Sequence, residues 1–192
     1  MNRYTKIHER RNDKLKKAVF LDRDGVINEV LSKRVKFVNK PEQMYLLERV
    51  GEGIKLLNDA DYLVFVVTNQ GGVGLGYMKE NMLRKVHEKM KEDIAKSGGK
   101  IDDIIYCPHK PNAGCACRKP EPEMLHTLAE KHKVNVKESF MVGDRDVDIL
   151  AGKQAGAKTI LIGDEAAGLA DYQFPTLYDA AKWITAQNEQ SV

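Results

Sequence analysis

Five consecutive residues, Leu63-Val64-Phe65-Val66-Val67, leave this chain little freedom of architecture. A strand wetted on one side alternates apolar and polar positions, whereas an unbroken apolar run predicts a strand covered on both faces, as in a parallel sheet. Ala18 to Leu21, Ile101 to Tyr106, Ser139 to Val142 and Thr159 to Ile162 are further apolar segments read as strands. Helical spacing fills the gaps between them. Val50, Ile54 and Leu57 mark a helix over 50–58, and Met82, Val86, Met90 and Ile94 mark one over 79–97, closed by Gly98 and Gly99. Further helices are predicted over 123–132, 147–155 and from 177 to about 186. Such alternation requires right-handed crossovers and predicts an α/β fold: a three-layer, Rossmann-like, mostly parallel sheet with helices on both faces, in one domain over residues 18–192. Residues 1–17, crowded with charge, read as a flexible extension. Residues 163–173 read as a loop, and 29–47 as a long excursion that follows the first strand and passes over the loop ends, with room for a small hairpin.

Bulk properties exclude several classes. No apolar run approaches the roughly 18 residues of a membrane span, and the N-terminal stretch lacks the apolar core of a secretory signal, so a cytoplasmic protein without membrane partners is expected. The net charge of +3 suits an anionic substrate without announcing a nucleic-acid binder. A monomer is expected.

Chemistry concentrates in the loops that leave the strands. The first is Asp22-Arg23-Asp24-Gly25, with two carboxylates two residues apart where an apolar strand breaks. The second is Thr68-Asn69-Gln70 followed by Gly71, Gly72, Gly74 and Gly76, and the third is Gly143-Asp144-x-x-x-Asp148. In an open α/β sheet all three would meet beyond the carboxyl ends of the strands. Carboxylates so placed repel one another unless a cation neutralises them, and hard oxygen ligands favour Mg²⁺. Asp22 could then attack phosphorus as a nucleophile, with Asp24 exchanging protons with the leaving oxygen and the hydrolytic water. Thr68 and backbone N–H groups of the glycine-rich loop would hold phosphate oxygens, and Lys119 would balance their charge.

All three cysteines lie in Cys107-x-His109-x5-Cys115-x-Cys117. Three thiolates and an imidazole within eleven residues, with no neighbouring carboxylate, fit a closed tetrahedral Zn²⁺ site of structural type, which would fix Arg118 and Lys119 at the mouth of the site. His87, His126 and His132 read as surface or packing residues, and Tyr178 and Trp183 as packing residues of the last helix.

Phe-Leu-Asp-Arg-Asp-Gly-Val-Ile-Asn at 20–28, Val-Val-Thr-Asn-Gln at 66–70, Cys-Arg-Lys-Pro at 117–120 and Val-Gly-Asp-Arg at 142–145 together resemble the haloacid dehalogenase superfamily. Within it, the chain is most similar to the capless, zinc-containing branch (subfamily IIIA) that holds heptose bisphosphate 7-phosphatases and histidinol phosphate phosphatases. The resemblance runs from about Ala18 to Gly163. It implies Asp22 as nucleophile, Asp24 as acid and base, and Mg²⁺ held by Asp22, the backbone carbonyl of Asp24, and Asp144. It also implies that Thr68, with Asn69 and Gln70, and Lys119 stabilise the phosphoryl group, and that Arg118 and Arg145 lie near the substrate. The expected reaction is removal of the 7-phosphate of D-glycero-D-manno-heptose 1,7-bisphosphate, with histidinol phosphate and then a polynucleotide 3′-phosphate as alternatives. Leu75 stands where the heptose branch commonly carries an arginine, a contact that Lys33, Arg34 or Lys36 could replace.

Overall fold

Strand β1 (Ala18–Leu21) runs through the middle of a six-stranded sheet in a computed structural model that describes residues 15–163 and 168–189. The remaining strands are β2 (Leu63–Asn69), β3 (Asp103–Cys107), β4 (Phe140–Gly143), β5 (Lys158–Ile162) and β6 (Tyr172–Phe174). Their order is β3-β2-β1-β4-β5-β6, and every pairing is parallel. Order therefore reverses between β1 and β4, and the loops leaving these two strands lie side by side.

Alternation along the strands divides the core in two. Val19, Leu21, Val64, Val66, Val142 and Ile160 face one layer, made by α1 (Val50–Asp59), α3 (Glu80–Ala95) and α6 (Leu177–Glu189). Ala18, Phe20, Phe65, Val67 and Met141 face the other, where α4 (Glu123–His132) and α5 (Asp146–Ala155) pack. Each strand of the centre is thus buried on both faces, as its unbroken apolar sequence requires. On α3 the buried stripe is Leu83, Val86, His87, Met90 and Ile94, with Met82 only half-buried.

Three local outcomes differ from the sequence reading. Within the segment read as a loop, Tyr172–Phe174 pairs with β5 as an edge strand. The glycine-rich stretch winds Gly71–Gly74 into a single helical turn, α2. In the excursion, Asn28 and Leu46 bridge antiparallel and Leu31 N–H reaches Lys36 O at 3.1 Å, but no strand forms; Val35, Val38 and Met44 are buried instead. Of the charged extension, residues 1–14 lie outside the described residues. Lys16 and Lys17 are engaged, with Asn135 N–H donating to Lys16 O at 2.8 Å and Leu63 N–H to Lys17 O at 3.0 Å.

Candidate active site

Asp22 stands one residue beyond β1 and is nearly buried, with its N–H donating to Val142 O at 2.9 Å. The next turn depends on Gly25, whose φ is +90° and where an added Cβ would lie 2.1 Å from Asp144 Oδ2. Glycine therefore serves twice here, once for the backbone and once to let Asp144 approach. Asp22, Asp144 and Asp148 each offer a carboxylate oxygen, and these atoms lie within 4.8 Å of one another.

Lys119 enters this acid cluster from the cysteine segment. Its Nζ donates to Asp22 Oδ1 at 2.7 Å, Asp148 Oδ1 at 2.6 Å and Val67 O at 2.7 Å. All three ammonium protons are matched in a fully buried position. Burial would lower the lysine pKa, but Asp22 and Asp148 outweigh it and hold it above the usual value. Asp22 is pushed up to about 7 by burial, with Lys119 pulling against the shift and Asp148 and Asp24 adding to it. Burial and the neighbouring Asp148 likewise push Asp144 up to about 6. Asp144 Oδ1 is buried and has no hydrogen-bond partner. An acid cluster with raised proton affinity and one orphaned oxygen is under-neutralised by a single lysine, and its all-oxygen donor set fits a hard divalent cation.

Asp24, two residues on, lives in the opposite environment. Its carboxylate accepts from Arg23 Nη2 at 2.8 and 2.9 Å and Nε at 3.2 Å, from Asn28 Nδ2 at 2.9 Å and from Gln70 Nε2 at 3.2 Å. Burial alone would raise its pKa, but Arg23, Asn28 and Gln70 hold it below the usual carboxylate range. The side chain of Asp24 is not part of the three-carboxylate cluster, so any metal contact from this residue falls to its backbone.

The Thr68-Asn69-Gln70 segment is arranged differently from expectation. Thr68 is buried and accepts from Gln70 Nε2 at 2.8 Å. Asn69, read as a phosphate contact, is instead clamped on the backbone of Lys119: Nδ2 donates to Lys119 O and Oδ1 accepts from Lys119 N–H, both at 3.0 Å. Two N–H groups of this loop, on Gln70 and Gly74, are directed away from any phosphate, donating to Cys107 O and Pro108 O at 2.8 Å. Arg118 is half-buried, with Nη1 donating to His109 O at 3.2 Å, and Arg145 is exposed, 4.0 Å from Asp144 Oδ2. Both line a cavity of about 870 Å³ whose floor holds Asp22, Thr68 and Lys119.

Cys107 Sγ lies 3.6 Å from both His109 Nδ1 and Cys115 Sγ, and His109 Nδ1 is 3.3 Å from Cys117 Sγ. The four donor atoms converge within 4.8 Å, the number and type that fit a tetrahedral site. Burial, with Cys107 and Cys115 beside it, pushes Cys117 up to about 12. Several thiolates cannot share this space without a cation.

Sequence reasoning assigned no role to Asp148, Arg23 or Asn28. Asp148 was visible in the third motif and sits at the third position of α5, where Oδ2 accepts from Arg145 N–H at 3.2 Å, leaving Oδ1 for Lys119. Among the histidines, His87 and His132 are packed, against Tyr106 and Phe65 respectively, while His126 is exposed.

Residues 116–181 match a HAD-hydrolase-like family model. The D-glycero-alpha-D-manno-heptose-1,7-bisphosphate 7-phosphatase of Photorhabdus laumondii is 36% identical over 147 residues, covering 73% of this chain and 78% of the relative. The D-glycero-beta-D-manno-heptose-1,7-bisphosphate 7-phosphatase of Bordetella bronchiseptica is 38% identical over 146 residues, or 76% of this chain and 80% of the relative. A crystal structure of the D,D-heptose 1,7-bisphosphate phosphatase from B. bronchiseptica, complexed with magnesium and phosphate, superposes with a TM-score of 0.79 at 32% identity, covering 92% of this chain and 99% of that one. The chain belongs to the haloacid dehalogenase superfamily, in the family these phosphatases share.

Proposed function

We propose that this chain is a Mg²⁺-dependent phosphatase that removes the 7-phosphate of D-glycero-D-manno-heptose 1,7-bisphosphate through an aspartyl phosphate on Asp22. The observation that carries the reading is the buried cluster of Asp22, Asp144 and Asp148 around Lys119, with Asp144 Oδ1 left without a partner. Relatives of similar length named for this reaction support the choice of substrate. Asp22, Asp144 and the backbone carbonyl of Asp24 would hold Mg²⁺, which supplies charge neutralisation for the phosphoryl group.

Asp22 Oδ attacks phosphorus as the bond to the leaving oxygen breaks, and Asp24 gives that oxygen a proton. Water then attacks the same phosphorus, Asp24 takes its proton, and the bond between phosphorus and Asp22 breaks to release phosphate. Asp24 is ionised in the resting site; the arriving phosphate dianion raises its proton affinity, and it takes up a proton from solvent that it then gives to the leaving oxygen in the first step. Thr68, Gln70 and Lys119 surround the transferring group, while Arg118 and Arg145 face the rest of the substrate. Asn69 acts through Lys119, whose backbone it fixes.

A Zn²⁺ ion on Cys107, His109, Cys115 and Cys117 would be structural, since four protein ligands leave no open position. The loop it closes carries the carbonyls that hold Gln70, Gly74 and Arg118, which links the metal to the site's shape. A charged sugar substrate and metal-binding thiols that need a reducing compartment support a cytoplasmic enzyme.

The test is a phosphate-release screen with Mg²⁺ against both anomers of the heptose bisphosphate, histidinol phosphate and a 3′-phosphorylated oligonucleotide. The highest kcat/KM on a heptose bisphosphate is expected. Faster turnover of histidinol phosphate or of the oligonucleotide overturns the substrate assignment.

A further inference from the structure

Arg23 is one of the few charged residues that are almost fully buried among the described residues. It lies between the two acids of the first loop, yet its side chain is 1% exposed, and its guanidinium faces Asp24 from the protein side. It is the charged partner among the groups that hold the Asp24 carboxylate; Asn28 and Gln70 are neutral. Two of its nitrogens, Nε and Nη2, are committed to Asp24, and Nη1 lies 3.5 Å from Nε2 of His87, sixty-four residues away on α3. His87 is buried on the inner stripe of α3 and its ring packs on Tyr106 of β3 at a centroid distance of 5.7 Å. Burial and the adjacent Arg23 push its pKa down to about 3, so the ring is neutral. With the proton on Nδ1, Nε2 accepts from Nη1.

We propose that His87 is a positioning residue: by holding the buried Arg23 guanidinium from α3, it fixes where the Asp24 carboxylate points during proton exchange with the leaving oxygen and the water. A carboxylate gripped by a planar guanidinium takes its orientation from that plane. Two of the three guanidinium nitrogens face Asp24, and the contact of the third with His87 limits the tilt of that plane about the long arginine side chain. The inference rests on Asp24 being the acid and base of the proposed reaction, and it adds a residue that never touches substrate.

The test compares two esters whose leaving groups differ in their need for a proton. An alkoxide requires one to depart from the heptose bisphosphate, whereas nitrophenolate leaves p-nitrophenyl phosphate without it. In kcat/KM, which reports only steps up to leaving-group departure, His87→Leu is expected to lose about tenfold on the sugar phosphate and less than about twofold on p-nitrophenyl phosphate, a fraction of what a general acid contributes. His87→Gln, whose side-chain carbonyl can accept from Arg23, should recover most of the loss. His87→Asn, too short to reach Arg23, serves as the second variant should the leucine variant not fold, and should behave as His87→Leu does. Equal losses on both esters, or no loss on the sugar phosphate, overturn the proposal. Asp24→Asn separates the two levels of the argument. If it discriminates between the esters and the His87 variants do not, only the role of His87 falls; if Asp24→Asn itself loses equally on both, the acid assignment falls and the role of His87 with it.

Discussion

Asp22 and Asp144 stand at the ends of two neighbouring buried strands, whereas Cys115 and Cys117 lie beyond a loop whose residues 110–114 are all exposed. The acids are held by the sheet: hydrogen bonds of β1 to both neighbours and apolar packing on two faces fix the backbone before any side chain is considered. The loop has no strand to hold it; its three cysteines and His109 form a group that could hold a metal ion, with Cys107 buried in one core layer and Cys115 and Cys117 packed against it. Lys119 belongs to both regions. Its backbone is clamped by Asn69 and its ammonium group reaches the acids, so a disturbance on either side should be felt through it. Carboxylates at the strand ends are positioned by the fold alone, while in the proposed function the groups that meet the substrate from the loop would also rely on a bound ion.

Removing the nucleophile strikes the sheet-held side directly. Asp22→Asn should lower Mg²⁺-dependent phosphate release by at least about 10⁴-fold while far-UV circular dichroism stays unchanged, a loss of the size seen when a nucleophile is deleted. Lys119→Met strikes the link between the regions, leaving Asp22 and Asp148 buried without their cation. Urea unfolding of the metal-free protein should show a loss of about 3–5 kcal/mol. A loss under about 1 kcal/mol would mean that the buried pair is not holding the two regions together.

Acid separates contributions within the sheet-held region. His87 is pushed down to about 3 in the folded protein, so between its unfolded value near 6.5 and that point the unfolded chain binds the extra proton. Stability from this group is therefore present above pH 6.5 and lost as pH falls, by about 2 kcal/mol between pH 7.5 and 5. Asp22 at about 7 and Asp144 at about 6 act with the opposite sign, since the folded metal-free protein binds their protons first. The difference in unfolding free energy between wild type and His87→Gln isolates the histidine. It should shift by about 2 kcal/mol over this range, and a difference independent of pH would contradict the burial assigned to His87.

The smallest effect is expected from the loop. Cys115→Ser should lower turnover by about tenfold with the sheet intact by circular dichroism, consistent with loss of an outer support. Unchanged kinetics in a variant verified to be free of zinc would show that Arg118 and Lys119 stay in place without the metal.

The central strands were legible because both-face burial writes itself as an unbroken apolar run, and the three site loops because each follows such a run. Tyr172–Phe174 was not: it is three residues at the sheet edge, largely exposed, with no apolar pattern to announce it. Nor could a helical turn be read from Gly71–Gly74, since glycine favours no helix and this turn is fixed by Gly74 N–H reaching Pro108 O. The burial of Arg23 was equally hidden, because a buried charge is decided by partners such as His87 that lie far away in sequence. Asp22 and Asp24 look alike in sequence and differ in the fold. One is crowded by acids and raised, and the other is gripped by a guanidinium and lowered.

The proposed reaction places covalent chemistry on Asp22 alone, and reductive trapping tests it. Enzyme mixed with Mg²⁺ and heptose bisphosphate is quenched during turnover, treated with borohydride to reduce an acyl phosphate to the alcohol, and digested for mass spectrometry. The account predicts homoserine at position 22, with Asp24, Asp144 and Asp148 unmodified. Reduction at any of those three, or an unmodified Asp22 under conditions of rapid phosphate release, would contradict it.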